Sequence, residues 1–460
     1  MRFFNTLTRS LEEFREIEKG RIGLYTCGPT VYDFPHIGNY RSYVFEDLVK
    51  RFFLFLGYRV KHVMNITDID DKTIRKAAEL GQPLAEVTRK YIDAFHADLR
   101  TLNVLPADVY PRATEHIPEM VSLISTLLAK GFAYKKDGSV YFSIERFPGY
   151  GRLANIDREN LKLGTAVDAD EYEKESIQDF VLWKGRKPGE PFWPASFGEG
   201  RPGWHIECSA MSMKYLGPHF DIHMGGVDNI FPHHENEIAQ SECANGQAFV
   251  NYWLHCQHLI INNKKMSKSL GNFYTLGDLL KRGFDPMAVR YLLISTHYRK
   301  LLNFTLDNLE MAVQALARVK NFVFSLKNVQ AEGQADPQVP ALIAANLAAF
   351  SRDMGDDFNV SGALGVMFDL VHEVNPRLNA LNREDAAAVL LHVEKLNMVL
   401  GVLEQAEAGP LAAAIEEKIA LREKARREKD FTRADAIRAE LKKQGISLLD
   451  TPGGVKWKKE

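Results

Sequence analysis

Residues 21–67 constrain the fold more than any other stretch. The segment RIGLYTCG, from Arg21 to Gly28, reads as a buried strand that runs into the loop GPTVYDFPHIGN. A helix is expected from Tyr40 to about Gly57, with apolar residues at Tyr43, Val44, Leu48, Phe52 and Leu56. The segment YRVKHVMNIT is then a second strand. Strand, loop, helix and strand make a βαβ unit, which implies parallel strands and a ligand crevice at their carboxyl ends. Cys27 falls at the end of the first strand, and Thr67 and Asp68 at the end of the second, so all three border that crevice.

At 460 residues the chain is too long for one core, and two to four domains are expected. Residues 70–103 read as helical and polar on one side. The pattern changes over 107–201, where a helix (117–131) is followed by a hairpin signal at Asp137-Gly138 and a charged, Gly/Pro-rich stretch. This is read as an insertion between two halves of the sheet domain. The sheet pattern resumes with GWHIECSAMSMKYL, and YWLHCQHLII is a later strand. After Leu301 the chain reads as helical, with linker-like stretches at 328–340 and 404–410. A charged helix pair (414–444) and two short strands, ISLLD and VKWKK, close it. The expected fold class is α/β: a Rossmann-like parallel-sheet domain with an insertion, then a helical domain and a small α+β C-terminal domain. The division is 1–106 and 202–272 for the halves of the sheet domain and 107–201 for the insertion. Beyond them come a helical region at 273–327, a helical bundle at 341–403 and the small domain at 411–460.

A net charge of −2 excludes a uniformly basic nucleic-acid binder, but residues 411–460 carry 13 Lys and Arg against 9 Asp and Glu. Cys27, Cys208, Cys243 and Cys256 are widely spaced and form no CxxC pair, which argues against a disulfide framework and for a reducing compartment. The N-terminus has no signal-peptide pattern, and the most apolar run, FFLFLGY, is too short to span a bilayer. A soluble, cytoplasmic, monomeric protein with no membrane partner is expected.

Three strings carry chemistry. In GPHFDIHMGGVDNIFPHHENEIAQSECA a helix is expected over 232–242, which puts His233 and Glu237 on one face. His234 and Glu237 are three apart and also converge, so spacing leaves open which histidine joins the carboxylate at a metal. In PHIGN, Gly38 permits close backbone approach to a ligand, and the helix N-terminus beyond offers N–H groups to phosphate, with His36 as a further donor. The alternative is a turn capped by Asn39. In KKMSKSLGN, Lys265 and Lys268 with Ser267 and Ser269 suit a loop that wraps a triphosphate, the alternative being a solvated basic loop.

The His-Ile-Gly string near the N-terminus, followed by a Lys-Met-Ser-Lys-Ser loop after a later strand, resembles class I aminoacyl-tRNA synthetases. The departure is Asn39, where that family's string ends in histidine. Together with NITDIDDK, RPGWHIECSAM and GGVDNIFPHHENE, the chain closely resembles the cysteinyl-tRNA synthetase family, nearly end to end. The resemblance is densest before Asn272 and loosest over 328–410.

The resemblance implies one zinc ion per chain on Cys27, Cys208, His233 and Glu237, a donor set that suits zinc. It implies ATP, carried with Mg2+, on His36, Gly38, Asn39, Lys265, Ser267 and Lys268, with His36, Lys265 and Lys268 catalytic. Thr67, Trp204 and Asp228 are assigned to the substrate cysteine, although Trp204 equally suits core packing. Cys243 and Cys256 are read as small buried residues, and His255 and His258 as satisfied strand-end histidines. The expected reaction forms cysteinyl-adenylate and passes the cysteinyl group to tRNA(Cys). The helices after Leu301 would support the tRNA, and the C-terminal piece would read the anticodon, with Trp457 stacking and Lys456, Lys458 and Lys459 on phosphate. Zinc suits the task because cysteine and serine differ by one atom, too little for shape alone to separate them strongly. The insertion has no evident second catalytic set, as expected without an editing site. Four protein ligands also describe a closed, structural zinc. Two rival functions are a mycothiol-type ligase joining cysteine to an amino sugar, and a non-enzymatic, zinc-stabilised RNA-binding protein.

Overall fold

The expected βαβ unit forms. Strand β1 (Arg21–Thr26) leads through helix α1 (Ile37–Phe55) to strand β2 (Arg59–Met64), which pairs parallel to β1 with Arg21 opposite Arg59 and Thr26 opposite Met64. After the insertion come helix α2 (Trp204–Leu216), strand β3 (Phe220–Gly226), helix α3 (Glu235–Asn245) and strand β4 (Val250–Cys256). The sheet order is β4-β3-β1-β2, all parallel. The winding therefore reverses between β1 and β3, and a ligand crevice opens there, beyond the carboxyl ends of the strands. This computed structural model describes residues 1–156, 179–266, 271–403, 410–428, 430–444, 446–451 and 454–459. The expected roles of Ser267, Lys268 and Ser269, the middle of the Gly/Pro-rich stretch and nearly all of the 404–410 linker fall outside them.

Helix α1 organises the sheet domain. Fourteen of its 19 residues are buried, so it is covered all round and is not a surface helix with one apolar stripe. It starts at Ile37, three residues before the expected start, because His36 is its N-cap: His36 Nδ1 accepts from the Asn39 N–H, and Asn39 Oδ1 accepts from the His36 N–H. Its charged residues Arg41, Glu46, Asp47, Lys50 and Arg51 are all buried.

Three expectations need correction. GWHIECSAMSMKYL does not resume the sheet; it is helix α2, and burial on nearly every side from His205 to Ser212 hides its period. The helix expected over 232–242 is regular only over Glu235–Asn245; Pro232, His233 and His234 belong to an irregular turn, Ile230–His234, in which Phe231 before the proline is extended (φ −137°, ψ 132°). Thr67 lies three residues past the end of β2, where its N–H bonds Pro29 and its carbonyl accepts from Val31.

The insertion forms as a helix (Ile117–Ala129) and a four-stranded antiparallel sheet over an apolar cluster shared with α2 and α3 through Ile206, Met211 and Ala239. Its hairpin turns on Asp137 and Gly138 with φ of 50° and 76°, the left-handed pair that a two-residue turn demands. Beyond β4, helices α4 (Pro286–Ile294), α5 (Leu306–Lys327), α6 (Val339–Gly355), α7 (Val360–Val374) and α8 (Arg383–Leu400) share one core with the sheet domain. One continuous apolar core runs from Phe3 through α1 to Leu403. The C-terminal helices (Pro410–Arg427 and Phe431–Lys443) and the hairpin Ile446–Thr451/Gly454–Lys459 have a small core of their own around Ile419 and Leu441. Lys456, Trp457 and Lys458 lie on the last strand, with their side chains outside what is described. Among the described residues, no helix is long and apolar enough to cross a membrane.

Candidate active site

Four potential ligands converge at the switch point of the sheet. Cys27 follows β1, Cys208 is on α2, His233 sits in the irregular turn after β3, and Glu237 is in the first turn of α3. One donor atom from each lies within 4.8 Å of the others. His233 Nε2 is 3.4 Å from Cys208 Sγ and 3.1 Å from Glu237 Oε1. Glu237 Oε1 is nonetheless a buried oxygen with no hydrogen bond. Two Lewis bases this close and not aligned on each other are aimed at a common point. A cation there satisfies the oxygen, so the residues present fit a metal ion.

The electrostatics agree. Burial raises the Cys208 thiol, but the hydrogen bond from Cys27 and the charge of His233 outweigh it and bring the pKa down to about 6. Burial would lower His233, but Cys208 and Glu237 push it up to about 10. Glu237 is held below the usual carboxylate range against its burial, chiefly by His223 and His233. Anionic sulfur and oxygen thus gather in a dry interior, a costly arrangement unless cations compensate it.

Sequence spacing missed the ring of histidines around this centre. His223 Nε2 is 2.9 Å from Glu237 Oε2, and His205 Nδ1 is 2.9 Å from His233 Nδ1. His234 Nε2 is 3.1 Å from Cys27 Sγ, while its Nδ1 is 2.8 Å from His255 Nε2. His255 Nδ1 in turn is 2.8 Å from Thr6 Oγ1, so the satisfied histidine expected on that strand is satisfied by the cluster itself. A second donor set, Cys27, His223, His234 and Glu237, meets the same distance limit, but His234 Nε2 stands 3.9 Å from Glu237 Oε1. The one available signal was His223, a polar residue inside a buried strand. Cys243 and Cys256 are buried as expected, and all four cysteines are free thiols.

Trp204 opens α2 and is 42% exposed, not core; its ring centroid is 4.4 Å from that of His233. Asp228 is exposed in the turn Val227–Asn229 that follows β3. Thr67 is buried, donates to Glu207 Oε2 at 3.0 Å and accepts from Asn65 Nδ2 at 3.3 Å. Sequence reading also missed Glu207, whose other oxygen is buried without a partner.

The two nucleotide-type strings meet across α1's N-terminus. Ile37 N–H donates to Tyr274 O at 3.0 Å, and the His36 ring meets Phe273 edge-on at 5.4 Å. A Cβ on Gly38 would stand 3.0 Å from both the His36 ring and the Met266 methyl, a tight fit because the two strings close on this position. Lys265 is exposed on the short strand Lys264–Lys265.

Comparison with known proteins agrees with this geometry. Residues 13–314 match the family described as tRNA synthetases class I (C) catalytic domain, residues 349–404 the DALR domain, and residues 409–457 the cysteinyl-tRNA ligase anticodon binding domain. A cysteine–tRNA ligase of Brachyspira hyodysenteriae is 47% identical over all of this chain and 99% of its own, and one of Chlamydia muridarum is 48% identical over 99% of both. A Mycobacterium tuberculosis methionyl-tRNA synthetase bound to methionyl-adenylate shares the fold at TM-score 0.58, with 16% identity over 83% of this chain and 90% of that one. A LeuRS from Agrobacterium radiobacter does so at 0.60, with 12% identity over 84% of each chain. The match over 409–457 leaves the amino-sugar ligase without support, and the catalytic-domain match over 13–314 does the same for the non-enzymatic RNA-binding protein. The chain belongs to the cysteine–tRNA ligase family of class I aminoacyl-tRNA synthetases.

Proposed function

We propose that this enzyme forms cysteinyl-adenylate from cysteine and ATP, transfers the cysteinyl group to tRNA(Cys), and selects its amino acid at a zinc ion held by Cys27, Cys208, His233 and Glu237. The observation that carries this reading is the buried set of two sulfurs, an imidazole and a carboxylate within 4.8 Å, with one carboxylate oxygen left unbonded. Bound zinc supplies a Lewis acid that favours a thiol, with a pKa of about 8.5, over an alcohol, which gives up its proton far less readily. His233 rather than His234 is assigned because its set contains both thiols and its nitrogen is closer to Glu237.

The chain's own groups do the positioning. Asp228 pairs the substrate ammonium. Thr67 Oγ1, already engaged with Glu207 and Asn65, keeps one lone pair to accept from that ammonium. The half-open Trp204 ring walls the pocket and excludes water. His36 and the first N–H groups of α1 face the phosphates, with Gly38 and Asn39 shaping the turn. Lys265, Ser267 and Lys268 are assigned to the triphosphate, which carries Mg2+, and the two lysines offset the charge that builds on departing pyrophosphate. The helices beyond 301 carry the tRNA. In the C-terminal piece Trp457, Lys456 and Lys458 contact RNA, and the chain acts as a monomer in the cytoplasm.

The test is charging of unfractionated tRNA with labelled cysteine against serine, beside a cobalt-substituted sample. Charging with cysteine alone and thiolate-to-cobalt absorption are expected; cobalt bound without that absorption would reject the thiol ligands. His36→Asn separates the nucleotide role from the cap. Asparagine still caps a helix, so folding is retained, while pyrophosphate exchange falls about a hundredfold from loss of one phosphate donor. Unchanged exchange would remove His36 from the mechanism.

A further inference from the structure

At the junction of α6 and α7 two consecutive residues that are not glycine hold left-handed backbone, Asp357 at φ 57° and Phe358 at φ 50°. Such strain persists only where surrounding contacts over-determine it. Here the contacts come from the N-terminal strand Arg2–Asn5 and from the loop 297–299 between α4 and α5. The Asp357 carboxylate accepts from the Phe4 N–H at 2.8 Å, the Tyr298 hydroxyl at 2.7 Å and Arg299 Nε at 2.7 Å. Its backbone carbonyl accepts from His297 Nε2 at 2.9 Å, and its N–H donates to Arg2 O at 2.8 Å. Phe358 is buried among Phe3, Phe45 and Phe52, with ring centroids 5.3, 6.0 and 6.2 Å away. Phe45 also stacks on Tyr298 at 4.2 Å. A turn of the helical region is thus plugged into the catalytic half and bonded to the loop 297–299.

The other side of that loop is held by Arg41 of α1, which is fully buried. Its guanidinium donates to the carbonyls of His258, at 2.7 Å, and of His297 and Lys300. Arg41 stands just over one helical turn from the His36 cap. His258 precedes the strand Leu259–Ile261, which pairs with Lys264–Lys265 on one side and Leu302–Phe304 on the other. One short loop therefore joins three things: the Asp357 turn, the N-terminal end of α1, and the hairpin that leads into the lysine-serine string.

We propose that Asp357 is a positioning residue for the transfer half of the reaction. Through the loop 297–300 it fixes the helical region against α1 and the hairpin, so that tRNA seated on the helices is held in register with the adenylate. This rests on the reading that the helices beyond 301 carry the tRNA. Activation needs only small substrates bound by the catalytic half. Transfer needs the tRNA terminus aligned with the adenylate to within about an ångström, which is where a shifted support costs rate.

The test is Asp357→Asn. Asparagine tolerates left-handed backbone and keeps an acceptor for Phe4 and Tyr298, but it loses the charge that binds Arg299. Tyr298→Phe is the milder second variant, removing one donor while keeping the ring on Phe45. For both, pyrophosphate exchange and tRNA Kd are expected to stay within about threefold of the parent, while single-turnover transfer from preformed cysteinyl-adenylate slows about tenfold for Asp357→Asn and less for Tyr298→Phe. Equal slowing of both half-reactions, unchanged transfer, or a loss confined to tRNA Kd would each overturn the proposal. Crosslinking tRNA to residues 306–400 in the parent tests the underlying reading separately: no crosslink rejects that reading, whereas a crosslink with unchanged transfer rejects only the role of Asp357.

Discussion

Cys208→Ala is expected to strip the metal and raise the KM for cysteine by about a hundredfold or more, since even outer partners of a metal ligand are worth about 10- to 100-fold. Cys208 is 2% exposed and 3.4 Å from His233, and its neighbours hold it toward the thiolate form that a metal requires. Alanine offers no donor and leaves Cys27, His233 and Glu237 as three corners of a four-cornered site. The nucleotide strings meet around Gly38 and Met266. The KM for ATP should therefore move less than about threefold, as for an interaction made only with the other substrate. The checks are pyrophosphate exchange with each substrate varied in turn and metal content by atomic emission. Equal rises in the two KM values would sink the selector role, and full metal retention would remove Cys208 from the ligand set.

Asp47→Ala is expected to destabilise the catalytic half by about 3–5 kcal/mol, the usual cost of breaking a buried ion pair from one side. Asp47 is buried on α1, and its Oδ2 accepts from Arg51 Nε at 2.7 Å and Arg290 Nη2 at 2.6 Å. Its Oδ1 accepts from the Leu105 N–H at 2.8 Å. Arg290 is fully buried and also donates to the carbonyls of Leu102, Asn103 and Leu400, so it cannot swing out to water when its anion is removed. The charge is left in the seam between α1 and the helices that follow it. By contrast, removing Glu440 from its pair with Lys418 on the C-terminal helices should cost at most about 1 kcal/mol, because both side chains are partly in water. Urea unfolding of the two variants compares them directly. A cost for Asp47→Ala no larger than that for the surface pair would mean that Arg51 and Arg290 find other partners.

Much of this architecture was legible because its signals are local. The apolar runs of β1 and β2, the Asp137-Gly138 turn and the break into helices after Leu301 each depend on residues a few positions apart. The convergence of a histidine on Glu237 is equally local, although spacing left His233 and His234 as alternatives. Local signals failed where burial was complete. Helix α2 is enclosed on nearly every side, so it has no polar face to mark its period, and it read as a continuation of the sheet. The expected start at Pro232 follows the extended Phe231, but the turn Ile230–His234 is irregular, so the regular part of α3 begins at Glu235.

Sequence alone determined the kind of sheet, the order of the nucleotide strings and the residue types available for a metal. Tertiary structure alone decided which of them meet. Cys27 and Cys208 are 181 positions apart and become neighbours only because α2 packs across β1 and β2. The histidine ring, the Asp47–Arg290 pair and the Asp357 turn likewise join elements distant in the chain. Spacing reports which side chains share a face of one helix or strand. It is silent on what faces that element across a core, because that is set by the packing of the whole chain.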